Sequence, residues 1–205
     1  GATLPHGLGV APKMIIVKAL DVGENWRVYH AGLDATAPQD KYIILDTTAA
    51  VADATWVWND TAPTSTLFSL GSGGSVNAPS ALCVAYCFAS VKGYSKFGSY
   101  VGNGNVDGTF VYTGFRPNMI IRKTTGTDYW SLIDIKREGY NPKNDYLFPS
   151  DTAGEGSQER VDIVSNGFKM RTTDTAGNTS GTTYIYAAFA EFPIVSSNDV
   201  PTVAR

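Results

Sequence analysis

The chain has 205 residues, with 16 basic and 19 acidic side chains for a formal charge of -3; only 17% are charged, against 43% hydrophobic and 12% aromatic. Charge this far below the roughly 25% of an average soluble domain argues against a fold of long solvated helices, and the basic residues are too scattered to hold a phosphate backbone, which excludes nucleic acid as a partner. The longest nearly unbroken apolar stretch, residues 81–89, is about half of the ~20 residues a membrane helix needs, so no membrane insertion is expected.

In chain order, the N-terminal GATLPHGLG has neither the basic nor the apolar region of a signal peptide and no initiating Met, so a fragment or processed chain is expected. The segment from Gly93, which precedes the second of two similar halves and is mostly lacking before the first, makes it the expected C-terminal part of a longer protein. Runs of β-branched and aromatic residues bounded by turn residues then predict strands at 14–18, 26–30, 42–45, 55–58, 67–70 and 82–90. Cys83 and Cys87, four apart on the last of these, would lie on one face about 13 Å apart, too far to bridge, and are read as small buried hydrophobes. Further strands are predicted at 112–115, 119–123, 129–134, 146–148, 161–164, 167–172 and 183–192. Ser165-Asn166-Gly167 between two of them reads as a hairpin, because Asn-Gly readily takes the positive φ angles of a type I′ turn. Only residues 47–54 and 151–159 are compatible with a helical turn.

These elements form an internal duplication. GLGVAPKMIIVK (7–18) returns as GFRPNMIIRK (114–123); Trp26 returns as Trp130, Tyr42 as Tyr146, and Phe68 as Phe168. CVAYCFA (83–89) matches YIYAAFA (184–190), and all matches keep one order at an offset of about 100 to 107 residues. The alignment sets His30 opposite Asp134, and the equivalent Trp26 and Trp130 are expected to share a core role. Both final strands are apolar on two faces, as central strands would be. The fold class expected is all-β, an antiparallel β-sandwich or jelly-roll built from two pseudo-repeats. The organisation expected is a first repeat at 1–92 with its N-terminal strand truncated, a Gly- and aromatic-rich connector at 93–113 that opens the second repeat, the rest of that repeat at 114–193, and a tail at 194–205. The whole is expected to pack as one compact unit.

Several stretches carry a resemblance: PHGLGVAPKMIIVK (5–18), NDTAPTST (59–66), VAYCFA (84–89), GYSKFGSYVGNGNVDGTFVYTGFRP (93–117), SNGFKMRT (165–172) and TYIYAAFAEFP (183–193). Together they resemble a family of uncharacterised domains that recurs in tail and other virion-structural proteins of bacteriophages, marine ones especially. The ending VPTVAR is similar to the C-terminus of such proteins. The resemblance implies a virion appendage that acts outside the cell, with other fibre subunits, typically in a homotrimer, as partners. It carries over no catalytic residues.

Glycan sites stack sugar rings on exposed aromatics and bracket them with short polar side chains. Trp56 and Trp58 would share one face of a strand, with Asn59 and Asp60 next to them; core packing is the competing reading. Tyr94, Phe97 and Tyr100 lie in a Gly- and Ser-rich stretch where a loop would expose them, unless they plug a gap between the repeats. Asn103, Asn105 and Asp107 match the spacing that opens a calcium loop, but with one carboxylate and Gly114 where the bidentate Glu belongs, they read first as a tight turn and only second as a Ca2+ site. No other cofactor is implied.

Catalytic material is sparse. His6 lies in a Pro-His-Gly turn, and His30 is expected at an exposed strand end without a nucleophile motif. The carboxylate pairs Asp134 with Glu138 and Asp145 with Asp151 are of a kind any acidic protein offers, and Lys136-Arg137-Glu138 reads as a solvated cluster. The leading expectation is a non-enzymatic tail-fibre or appendage domain binding a host-surface polysaccharide or receptor. The alternatives are a structural assembly domain without a soluble ligand and a polysaccharide-degrading enzyme.

Overall fold

The computed structural model describes residues 1–137 and 141–191. Expectations for Glu138, residue 192 and the tail at 194–205 lie outside the described residues. The chain divides into two units, Gly1–Ala89 and Ser90–Arg205.

The first unit is built on an antiparallel sheet in which β2 (Met14–Ala19) lies between β3 (Arg27–His30) and β7 (Cys83–Phe88). Beyond β3 come β4 (Lys41–Ile44) and the two-residue β5 (Ala52–Asp53). Its second layer is slight: β1 (Ala2–Pro5) pairs with β6 (Leu67–Leu70), beside one-turn helices α1 (Thr55–Trp58) and α2 (Gly74–Asn77). Ile15, Val17 and Tyr29 of the sheet meet Val57, Trp58, Phe68, Leu70 and Val76 in one core. Burying such side chains contributes about 1.5–3 kcal/mol each, and this offsets the cost of ordering a short chain.

The second unit is a fuller sandwich of two four-stranded antiparallel sheets. One sheet runs β11 (Ser131–Asp134), β10 (Pro117–Thr124), β15 (Thr183–Ala190), β8 (Ser95–Val101). The other runs β12 (Lys143–Tyr146), β13 (Gly156–Val164), β14 (Gly167–Met170), β9 (Phe110–Tyr112). Tyr100, Ile120, Ile133, Tyr184 and Tyr186 from the first sheet pack on Val111, Tyr146, Val161, Ile163, Phe168 and Met170 from the second. The molecule is thus almost entirely β, as its composition requires.

Corresponding strands of the two units follow similar pairings. Met14 sits opposite His30 as Met119 sits opposite Asp134, and β1 pairs β6 as β9 pairs β14. The Trp26 amide donates to Asp46 and the Trp130 amide to Ser150, each twenty residues on. Lys18 and Lys123 each turn their ammonium onto the carbonyl of the next residue.

Several expectations are corrected. Residues 55–58 form a helical turn rather than a strand, which ends at Asn59 in the left-handed region (φ 57°) that Asn tolerates. Residues 47–54 and 151–159 supply no helix; β5 and the start of β13 occupy parts of them. The connector contains a seven-residue strand, β8, whose Ser and Gly positions had suggested a loop. Small residues are needed there, because a Cβ on Gly98 would stand 2.9 Å from the Tyr186 hydroxyl and 3.1 Å from its ring. The 165–167 hairpin forms with Val164 opposite Gly167, but neither Ser165 nor Asn166 has a positive φ. Gly167 serves close approach instead, since a Cβ would lie 2.1 Å from the Val111 carbonyl oxygen. Finally, β7 is an edge strand with Cys83 exposed and Cys87 half-buried, whereas β15 is internal and buried.

Candidate functional site

The two tryptophans proposed as a pair separate, because a helical turn rotates positions two apart to different sides. Trp58 is 2% exposed, meets Tyr29 edge-on at 6.0 Å and donates its indole N–H to the Lys41 carbonyl at 3.1 Å. Trp56 is 38% exposed and packs 5.4 Å from Tyr42. Sequence reasoning missed the residue that organises this pair. Arg27 lies over both rings, 5.2 Å from Tyr42 and 5.3 Å from Trp56, held by Ser75 Oγ at 3.0 Å and by Glu24 at 3.6 Å. Its signal was an arginine opening a short, fully buried strand. Asn59 and Asp60 are exposed but serve the turn: Asn59 N–H bonds the Thr55 carbonyl, and Asp60 accepts from the Thr55 hydroxyl at 2.7 Å.

The connector aromatics also divide. Phe97 and Tyr100 are buried, which corrects their expected exposure, while Tyr94 is 47% exposed and meets Phe189 edge-on. Strand alternation explains Tyr100, which pairs with Tyr184, stacks on its ring at 5.1 Å and donates its hydroxyl to the Gly177 carbonyl. Burial pushes its phenol up to about 12.

Tyr94 belongs to a hairpin turn closed by hydrogen bonds between Val91 and Ser95, with Gly93 at φ 73°, a conformation glycine adopts freely. This turn, residues 90–96, faces Tyr112, Thr113 and Gly114 at the end of β9 across a groove of about 320 Å³. Tyr112 is 64% exposed and Phe110, two residues back on the same strand, is 48% exposed. Lys92 and Lys96 are exposed on the opposite wall, while the buried Ser95 and Thr113 hydroxyls are engaged with Val91 and Phe115. The groove therefore offers an aromatic face on a strand and positive charge on a hairpin turn. Tyr112 and Phe110 could have been found from sequence, since FVY alternates and both aromatics fall on the same side of its strand.

The loop carrying the calcium-like spacing is wired internally. Asn103 Oδ1 accepts from the Asn105 amide and from Asn178 Nδ2, and Asn105 Oδ1 accepts from the Asp107 amide. Asp107 takes Lys169 at 2.6 Å and Arg171 at 3.2 Å, and these cations, the Lys169 hydrogen bond foremost, hold its carboxyl below the usual range. Among the described residues no cluster of three or more His, Cys, Asp or Glu side chains could hold a metal ion.

His30 is buried rather than at an exposed strand end, and its Nδ1 accepts from the Gly32 amide at 3.0 Å. Burial raises the Asp134 carboxyl, but the Arg137 and Lys136 amides and the Arg137 guanidinium outweigh it, so the group sits below the usual range. Asp151 caps the Thr152 and Ala153 amides at the surface, and His6 accepts from the Leu8 amide within its turn. Trp130 fills the core as expected, but Trp26 is only half-buried and stacks on exposed Tyr86 at 6.4 Å.

A family model covers residues 1–193 and is described as a domain of unknown function, DUF7483. The chain belongs to the DUF7483 family. No curated protein and no solved structure gave a significant match to it. Among the exposed aromatic surfaces of this DUF7483 chain are one centred on Trp56 and one on Tyr112.

Proposed function

We propose that this DUF7483 chain is a non-enzymatic binding module of a bacteriophage tail fibre or related appendage, which contacts a host-surface polysaccharide through the Tyr112 groove. The setting rests on the sequence resemblance described above; the chemistry rests on the groove. A pyranose ring has an apolar face that suits the exposed Tyr112 ring, and its rim of hydroxyls suits the exposed Lys96 ammonium. Lys92 and Lys96 on the far wall favour a sugar that carries a carboxylate or other anionic group. Single grooves of this size bind weakly, and a trimeric fibre raises the avidity by linking them. A glycan array with the chain presented on a trimeric scaffold tests the reading. Retention on acidic polysaccharides, lost when Tyr112 and Lys96 are replaced by Ala, is the expected result. Silence on every acidic and neutral polysaccharide, or binding indifferent to both replacements, removes the groove from consideration.

A further inference from the structure

The outer edge of β7 has no strand beside it among the described residues. The Leu20 amide bonds the Leu82 carbonyl at 2.7 Å, which fixes the alternation along the β2–β7 ladder: Val84 and Tyr86 turn their backbone groups toward β2, and Cys83, Ala85 and Cys87 turn theirs outward. Those outward donors and acceptors form a ready template for another strand. Other edges of the three larger sheets are blunted; in the sheet of β12 to β9, β9 is only three residues long and β12 carries Lys143. β5 is two residues long, β11 is bridged through Leu132 to Leu147, and β8 carries Lys96. β7, with the sequence CVAYCF, has neither charge nor proline.

The second unit shows what fits such an edge. There β8 pairs antiparallel with β15, and sets Tyr100 opposite Tyr184 and Gly98 opposite Tyr186. By the alignment of the two stretches, Cys83, Ala85 and Cys87 stand where Tyr184, Tyr186 and Ala188 stand. Ala85 and Cys87 line a groove of about 340 Å³ with Leu4, Pro5, His6 and Phe68. That is the position in which Tyr100 packs on Phe168 and lies beside Val111 in the second unit's core.

We propose that the β7 edge is a docking site for one extended polypeptide strand with β8's alternation, seated antiparallel across Cys83, Ala85 and Cys87 with an aromatic side chain entering the groove. A polypeptide is specified because only a backbone supplies donors and acceptors at the ladder's spacing.

The two cysteines are the chain's only thiols and report directly on occupancy. The test compares the rate at which a soluble disulfide reagent modifies them in two forms of the chain. One is extended ahead of Gly1 by a copy of residues 95–109, and the other by a Gly/Ser segment of equal length. The strand extension is expected to slow modification by about tenfold, in proportion to the time the edge is covered. Ala85→Pro in the strand-extended chain, which removes an outward donor and leaves the β2 ladder intact, should restore the faster rate. A free peptide spanning residues 93–101 should slow the natural chain's thiols in a saturable way, which provides a second measurement if the extended chain folds poorly. Equal rates with both extensions together with no effect of the peptide overturn the proposal. So does a natural chain whose thiols become protected with rising concentration as it dimerises, because a second β7 is then the occupant. None of these readouts depends on glycan binding.

Discussion

Strands β7 and β15 carry matching stretches, CVAYCFA and YIYAAFA, and both lie against an internal strand of their unit's sheet, β2 or β10. One is an exposed edge and the other is buried between β10 and β8. The side chains track that difference. Where β8 closes the sandwich, large Tyr184 and Tyr186 fill the space and Gly98 yields to them; where no strand closes it, the aligned positions are Cys83 and Ala85. The lesson is that an apolar run sets the conformation of a strand, while the sizes of its residues on one face record what stands beyond it.

The largest effect that would break this comparison is loss of packing. Tyr184→Ala should destabilise the second unit by about 3–5 kcal/mol, as aromatic deletions in cores do, and Cys83→Ala should change the first by less than about 0.5 kcal/mol. Urea unfolding of the two variants measures both, and equal losses would mean that β7 is as buried in solution as β15. Next, Gly98→Val should cost about 1–3 kcal/mol by forcing β8 away from the Tyr186 ring, a penalty absent for Ala85→Val at the open edge.

A subtler probe is pH. Burial drives the Lys123 ammonium down to about 8 from its ordinary 10.5, so the unfolded chain binds the extra proton between those values and stability rises with pH across that window. Tyr29, Tyr100 and Tyr186 are pushed by burial from 10 to about 12, and the stability they contribute is full below pH 10 and lost as pH climbs through 12. Thermal melts should therefore show Tm rising from about pH 8 to a maximum near pH 10 from these groups, and Lys123→Met should flatten that rise. The smallest structural effect is expected at the groove: Tyr112→Ala should leave stability within about 0.5 kcal/mol and weaken retention on an acidic polysaccharide by about tenfold.

Much of the fold is legible in sequence because runs of β-branched and aromatic residues mark its strands, and β2, β10, β14 and β15 fall close to where residue type puts them. The failures share a cause. Residues 95–101 look like a loop because their Ser and Gly make room for a neighbour's tyrosines, a fact held in Tyr186 and not in the segment itself. Residues 55–58 look like a strand because TWVW is rich in β-formers, yet a helical turn is what sends Trp58 under the sheet to Tyr29. The site was half visible for the same reason. Aromatic content flagged the connector, but only pairing decides that Tyr100 enters the core and Phe97 is buried against Phe189 on the other face, while Tyr94 and Tyr112 stay exposed.

The loop between β8 and β9 contains Asn103-Gly104, the dipeptide most prone to spontaneous deamidation, in which the glycine nitrogen attacks the asparagine side-chain carbonyl. Here the Gly104 amide is committed to the Asn178 carbonyl at 2.8 Å, and the Asn103 side chain is held by Asn105, Asn178 and the Asp107 carbonyl. Cyclisation would first have to pull these groups apart, and the buried Asn178 that anchors them is also tied to Thr172. The wiring that makes this loop a turn thus gives it chemical durability, so that it ages slowly.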